Sequence, residues 1–255
     1  MNDPARTDWS PGAYARFRGF RLAPAIDLLA QVPDLPDGDV VDLGCGDGAV
    51  AGPLRTRWPG RHLVGVDTSE AMLSAARAQG GYDRLVRADI ARWDAGHPPA
   101  AIFSNAALNW VPDHADLLPR LVAMLAPGGT LAMQVPDQTD APSHALIRAL
   151  SGTTGTVSHV LQPADYARIL SPFGAASVWR TEYLQRLAPV ETGHPVRHFT
   201  QSTYMRPHVE AMDETDRAAF LDAYDAALRD AYPAERDGSV LFPFARLFCI
   251  VTTNR

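Results

Sequence analysis

Residues 39–50 read D-V-V-D-L-G-C-G-D-G-A-V. Val40, Val41 and Leu43 make a short apolar run, the pattern of a strand buried on both faces of a parallel sheet. Asp42 falls at its end. Gly44, Gly46 and Gly48 then alternate through a turn, and an apolar, helix-compatible stretch follows. A strand, a glycine loop and a helix in this order bring backbone N–H groups and a helix N-terminus close to a ligand, because glycine has no Cβ to hold it off.

Two ligands fit such a loop. Gly44, Gly46 and Ala49 satisfy the G-x-G-x-x-G/A spacing of a dinucleotide site. S-adenosylmethionine carries no pyrophosphate, and its ammonium and sulfonium are cationic. Asp42 and Asp47 flank the loop, and electrostatics therefore favours the cation.

The next segments extend the pattern. His62–Val66 ends in Asp67, about 20 residues past the glycines, where a carboxylate accepts hydrogen bonds from ribose hydroxyls. A third strand, Arg84 to Ala88, ends in Asp89 and Ile90, an acid and an apolar neighbour suited to an adenine amine and ring face. A fourth, Ala100 to Ser104, ends in Asn105, and a fifth spans Thr130 to Val135. Helices are expected at Ser69–Gln79, with Ser69 as cap and Met72 and Leu73 inward, and from Asp113 to about Leu125. Five alternations of strand and helix predict an α/β, doubly wound, mostly parallel sheet with ligand groups along its carboxyl edge. Strands at 175–184 and 241–252 bring the expected total to seven. Helices are expected at His144–Leu150, Pro163–Leu170, Met205–Met212 and Glu214–Tyr232.

The expected organisation is an N-terminal cap (1–34, with a helix from Pro24 to Val32), a ligand-binding core (35–136), and a substrate-binding helical lid (137–235) inserted after strand five. That insertion contains the strand at 175–184, and 236–255 supply the last core strand. The net charge of −6 disfavours nucleic acid or anionic lipid as a partner. All 23 basic residues are arginine, so any anion clamp must use guanidinium, which binds carboxylates bidentately. Cys45 and Cys249, the two cysteines, suggest neither a disulfide scaffold nor a metal cluster, and no metal is expected. With no apolar leader and no apolar run of membrane-spanning length, a cytoplasmic protein is expected.

D-L-G-C-G-D-G, G-V-D-T-S-x-x-M-L, A-D-I, S-N-A-A-L-N-W-V-P-D-H and L-A-P-G-G together resemble a class I S-adenosylmethionine-dependent methyltransferase. The D-W-S-P-x-x-Y-x-R-F, N-W-V-P-D-H and Q-V-P-D-x-x-D-x-P-S-H segments resemble, more narrowly, the trans-aconitate 2-methyltransferase family. The resemblance implies a Rossmann-like fold and O-methylation of a small, anionic carboxylic acid. It implies cofactor contacts from Asp42, Gly44, Cys45, Gly46, Asp67, Thr68, Met72, Asp89, Ile90, Asn105, Ala106 and Trp110. Trp9 and Tyr14 would close the pocket, and Arg18, Arg21, Tyr204, Arg206 and Arg246 would hold the acceptor. A carboxylate acceptor is already ionised near neutrality and needs no general base. A natural-product hydroxyl or nitrogen acceptor would need one, and His114 is the candidate. A non-catalytic cofactor-binding protein is the alternative of another class.

Overall fold

A computed structural model describes residues 18–152, 159–201, 203–210 and 212–255. The strands are β1 (Val40–Leu43), β2 (Leu63–Asp67), β3 (Arg84–Arg87), β4 (Ala101–Asn105), β5 (Thr130–Pro136), β6 (Gly174–Leu187) and β7 (Val240–Thr253). They form one seven-stranded sheet in the order β3-β2-β1-β4-β5-β7-β6. From β3 to β5 every pairing is parallel, with Val40 opposite Leu63 on one side and Ala101 on the other. Against β5, strand β7 runs the other way. Gly128 N–H donates to Asn254 O, and the Thr253 N–H donates to Gly129 O, whereas at the far end Asp137 N–H donates to Ala245 O. The expected doubly wound sheet is therefore observed, with one antiparallel strand near its edge.

The helices are α1 (Arg18–Gln31), α2 (Ala51–Arg57), α3 (Glu70–Gln79), α4 (His114–Ala123), α5 (Pro142–Ser151), α6 (Pro163–Leu170), α7 (Pro195–Gln201), α8 (Arg206–Val209) and α9 (Glu214–Ala231). Ser69 caps α3 as its sequence suggests, accepting from Met72 N–H, and Gly80 ends it. Helix α1 begins six residues before the expected start and runs through Pro24. Its Ala25, Leu28 and Leu29 are buried, whereas Ile26 is exposed.

Two further departures have local causes. Helix α7 was not expected, because Val196, Phe199 and Thr200 form a buried face of only one turn, too short to register as a period. The helix expected over Met205–Met212 contracts to α8. Asp213, in extended geometry, accepts from Asp216 N–H and starts α9 afresh, ending the preceding helical path.

The chain divides into two compact units. Unit 1 comprises residues 1–135, 159–180 and 247–255, and unit 2 comprises 136–158 and 181–246. Unit 1 has its core in Leu43, Val66, Ile102, Leu118, Leu121, Met133 and Leu247, all nearly inaccessible. In unit 2, the ring of Phe199 meets those of Phe242 and Phe244 at 5.3 and 5.2 Å between centroids. There half-buried Arg197 and buried Asp225 form an ion pair at 2.8 Å, and Asp225 also accepts from His194 N–H. Among the described residues no helix is long and apolar enough to cross a membrane.

Candidate functional site

A cavity of about 350 Å³ opens at the carboxyl ends of β1, β2 and β4, wholly within unit 1. Gly44, Gly46, Asp67, Thr68, Met72, Asp89, Ile90, Asn105, Ala106 and Trp110 line it, ten of the twelve cofactor positions expected from sequence. The glycine loop is pinned from beneath, where Gly44 and Cys45 both donate N–H bonds to Val66 O, at 2.8 and 2.9 Å. Asp67 binds the loop from the side. Its Oδ2 accepts from Gly46 N–H and its Oδ1 from Ser69 N–H, each at 2.9 Å. Asp67 also lines the cavity, which places its carboxylate beside any ligand there.

The opposite wall is held by groups with no sequence signal of their own. Arg120 of α4 donates to the carbonyls of Ile90, Ala91 and Trp93, at 2.6–3.1 Å, and so clamps the turn carrying Asp89 and Ile90. Trp93 itself is buried in the unit 1 core. Asn105 Oδ1 accepts from Gln134 Nε2. Ala106 takes a left-handed backbone (φ 55°) that non-glycine residues rarely adopt. In the orientation its neighbours dictate, the Asn109 amide donates to Ala106 O and accepts from Trp110 Nε1, each at 3.1 Å. One buried side chain thus fixes both the strained residue and the indole.

The remaining two cofactor candidates lie off the cavity wall. Asp42 is buried on β1, its Oδ2 accepting from Tyr82 OH at 2.6 Å. Burial pushes its pKa up to about 7, opposed by the Tyr82 hydrogen bond and reinforced by the Asp67 charge. Cys45 is buried inside the loop. Burial first, then the Asp42, Asp67 and Asp47 carboxylates, push its thiol up, so it has no nucleophilic thiolate.

Asp42 gives stability a pH dependence of definite sign. Its folded value lies above the ordinary 3.8, so its contribution is fully present below about pH 4 and lost as pH rises through about 7. Asp42→Asn cannot ionise and keeps an acceptor for Tyr82. Urea unfolding should show this variant gaining on the native chain between pH 5 and pH 8. A difference that stays constant across that range would refute the assignment.

His114 lies in the first turn of α4, buried, with both ring nitrogens engaged. Nδ1 meets Tyr166 OH at 2.6 Å and Nε2 meets Leu108 O at 2.9 Å. Burial lowers its pKa. Tyr204, Arg206 and Arg246 lie in unit 2. Tyr204 OH accepts from Arg148 at 3.1 Å, and Arg206 forms an ion pair with Glu210 at 2.7 Å. Arg246 is fully buried with its guanidinium 4.5 Å over the Phe244 ring. Trp9 and Tyr14, and the side chains of Arg18 and Arg21, lie outside the described residues.

The cavity suits a cationic nucleoside better than a pyrophosphate. Two wall residues, Asp67 and Asp89, are acids against one arginine, Arg92, the buried carboxyl of Asp42 lies just ahead of the glycine loop, and Gly46 leaves a space its missing side chain would fill. The chain matches the methyltransferase domain family over residues 14–188. It is 41% identical to the trans-aconitate 2-methyltransferase of Rhizobium meliloti, across 96% of this chain and 99% of that protein. It is also 41% identical to the Streptomyces coelicolor protein of that name, across 95% and 86%. The chain belongs to the trans-aconitate 2-methyltransferase family. Among solved structures, Haemonchus contortus phosphoethanolamine N-methyltransferase 2 with S-adenosyl-L-methionine superposes at TM-score 0.59 and 15% identity, over 96% of this chain and 56% of that one. The YcgJ protein of Bacillus subtilis gives 0.57 and 12%, over 91% and 99%. Both share the class I fold. Membership of the family makes the protein a methyltransferase whose donor is S-adenosylmethionine and whose acceptor is a small molecule.

Proposed function

We propose that this enzyme methylates a carboxylate of trans-aconitate, or of a small polycarboxylic acid of the same build, and releases a methyl ester. The observation that carries this reading is the likeness to proteins of that name over almost the whole of both chains. The bound donor supplies an electrophilic methyl group on a positively charged sulfur. Asp67 accepts the ribose hydroxyls, Asp89 takes the adenine amine with Ile90 and Met72 against the ring, and the Gly44–Gly46 backbone carries the amino-acid end. Trp110 walls the reacting end and excludes water.

An acceptor carboxylate, near pKa 4 in water, is ionised at pH 7 and attacks without losing a proton. The enzyme's task is then to align and desolvate, which can supply about 7–11 kcal/mol of barrier reduction. His114 supports this reading over a hydroxyl or nitrogen acceptor, because a buried imidazole with both nitrogens bonded cannot take a proton from one. The reading includes an anionic acceptor, no nucleic acid or membrane partner, and a cytoplasmic location.

Product analysis by mass spectrometry over a panel of acids, phenols and amines tests it. A single mass gain of one methyl, on acids alone and reversed by alkaline hydrolysis, is expected. His114→Gln should then retain kcat within about tenfold, well short of the 10²–10⁴-fold cost of losing a general base. Turnover confined to phenols or amines would overturn the carboxylate reading.

A further inference from the structure

The turn that carries Trp110 is held by a segment some fifty residues further along the chain. Leu108–Trp110 form one turn of 3-10 helix, closed by Val111 N–H donating to Leu108 O at 2.8 Å. Leu108 O accepts a second bond, from His114 Nε2 at 2.9 Å. His114 Nδ1 meets the Tyr166 hydroxyl of α6 at 2.6 Å, and the oxygen of that hydroxyl accepts from Leu161 N–H at 3.2 Å. Close by, His159 N–H donates to Asn109 O at 3.2 Å. Residues 159–166 thus grip the turn at Leu108 and at Asn109, and every group named belongs to unit 1. Leu108, His114 and Tyr166 are almost inaccessible.

The direction of each bond follows from its partners. A carbonyl oxygen only accepts, so Nε2 carries the imidazole proton. Burial, opposed by the Leu108 bond and aided by nearby His159, lowers the His114 pKa, so the ring is neutral at pH 7 and Nδ1 is an acceptor. Tyr166 therefore donates to Nδ1 while its oxygen takes the Leu161 N–H. The donors run in one sense, from the Leu161 backbone through phenol and imidazole to Leu108 O. Asn109, the middle residue of the turn, bonds the Trp110 indole through its side chain, and Trp110 lines the donor cavity.

We propose that His114 and Tyr166 are positioning residues for methyl transfer, which pass the placement of residues 159–166 to the Leu108–Trp110 turn and so fix the indole beside the reacting methyl. This deepens the carboxylate reading and rests on its placement of Trp110. His114 then neither touches the acceptor nor moves a proton. Its Nε2–H holds a carbonyl of the turn, and Tyr166 holds the tautomer that puts the proton there.

Two amide substitutions at His114 divide the two bonds of the ring. Gln reaches as far as Nε2 and keeps a donor for Leu108 O. Asn reaches only as far as Nδ1, so it keeps a partner for Tyr166 and loses the bond to Leu108. The test uses the full chain bound to S-adenosylhomocysteine and reads the Trp110 indole N–H signal by nitrogen-15 NMR, assigned with Trp110→Phe. His114→Asn should shift or broaden that signal, and His114→Gln should leave it in place. In turnover with trans-aconitate, His114→Asn should lower kcat about 10- to 100-fold, the scale of an ångström-sized misplacement. S-adenosylhomocysteine affinity should hold within about threefold, because the sheet edge still grips it. Tyr166→Phe should lower kcat about threefold to tenfold alone, yet cost nothing further on the His114→Gln background, because the two side chains act in series. If wild-type protein methylates no carboxylic acid while His114→Asn still displaces the indole signal, the functional reading falls and the positioning role stands. If His114→Asn, folded by circular dichroism, keeps either wild-type kcat or an undisturbed indole signal, the role is refuted while the reading stands. A loss above about 100-fold in both His114 variants would mark a general base and overturn both. Should His114→Asn not fold, Tyr166→Phe and the double variant decide by the same two measurements.

Discussion

Asp67→Ala is expected to weaken S-adenosylhomocysteine binding by about 100-fold or more, and to lower kcat/KM by at least as much. The Asp67 carboxylate serves two purposes at once. It satisfies the N–H groups of Gly46 and Ser69, fixing the glycine loop to the start of α3, and it lines the cavity. Hydrogen bonds to a charged group contribute about 1.5–3 kcal/mol each. Losing two from the ribose therefore corresponds to about 3–6 kcal/mol, or about 10²–10⁴-fold in affinity. The freed Gly46 N–H adds to the loss by loosening the loop. Asp67→Asn, which keeps the shape and one acceptor, should fall between the two. Calorimetry with S-adenosylhomocysteine measures the effect, and circular dichroism checks the fold. Affinity within about threefold of wild type would remove Asp67 from the ribose position.

What the sequence disclosed was whatever repeats locally. Strands β1, β2, β4 and β5 are apolar runs because both faces of the central sheet are covered, and burial along them is nearly unbroken. Of the ten cavity-wall residues, Asp67, Asp89, Ile90 and Asn105 were legible because sheet topology places strand ends side by side, a rule that needs no coordinates, whereas Thr68, Ala106 and Trp110 came only with the family resemblance. Asp42 shows the limit. Its position just ahead of the glycines is a matter of spacing, but its partner Tyr82 lies 40 residues away. Whether an acid faces a ligand or a buried phenol depends on that distant side chain. Arg120, Asn109 and Tyr166 are likewise unremarkable in sequence. Each acts through contacts with other segments or with backbone carbonyls, and such contacts leave no periodicity to read. The reverse holds for Arg206, which looked available for an anion until the next turn of its helix brought Glu210 to it.

The glycine loop allows stability and binding to be separated by two matched substitutions. Gly44 has φ +84°, and a Cβ there would sit 2.1 Å from the Cβ of Ala107. Gly46 has φ +54°, and a Cβ there would meet no described atom within 4 Å, since it projects into the cavity. Both alanine variants carry the left-handed backbone cost of about 1–2 kcal/mol. Only Gly44→Ala adds the overpacking cost of about 1–3 kcal/mol. Gly44→Ala should therefore lose about 2–5 kcal/mol of stability, and with it all measurable cofactor binding, because relief of the clash requires the Ala106–Ala107 wall to move. Gly46→Ala should lose no more than the backbone cost yet bind S-adenosylhomocysteine about 10-fold or more weakly, since the new methyl occupies ligand space and its removal from that space requires loop movement. Thermal unfolding and calorimetry on the two variants give four values. If Gly46→Ala binds as tightly as wild type, the space above Gly46 is not where the donor lies, and the placement of its amino-acid end on this loop is wrong.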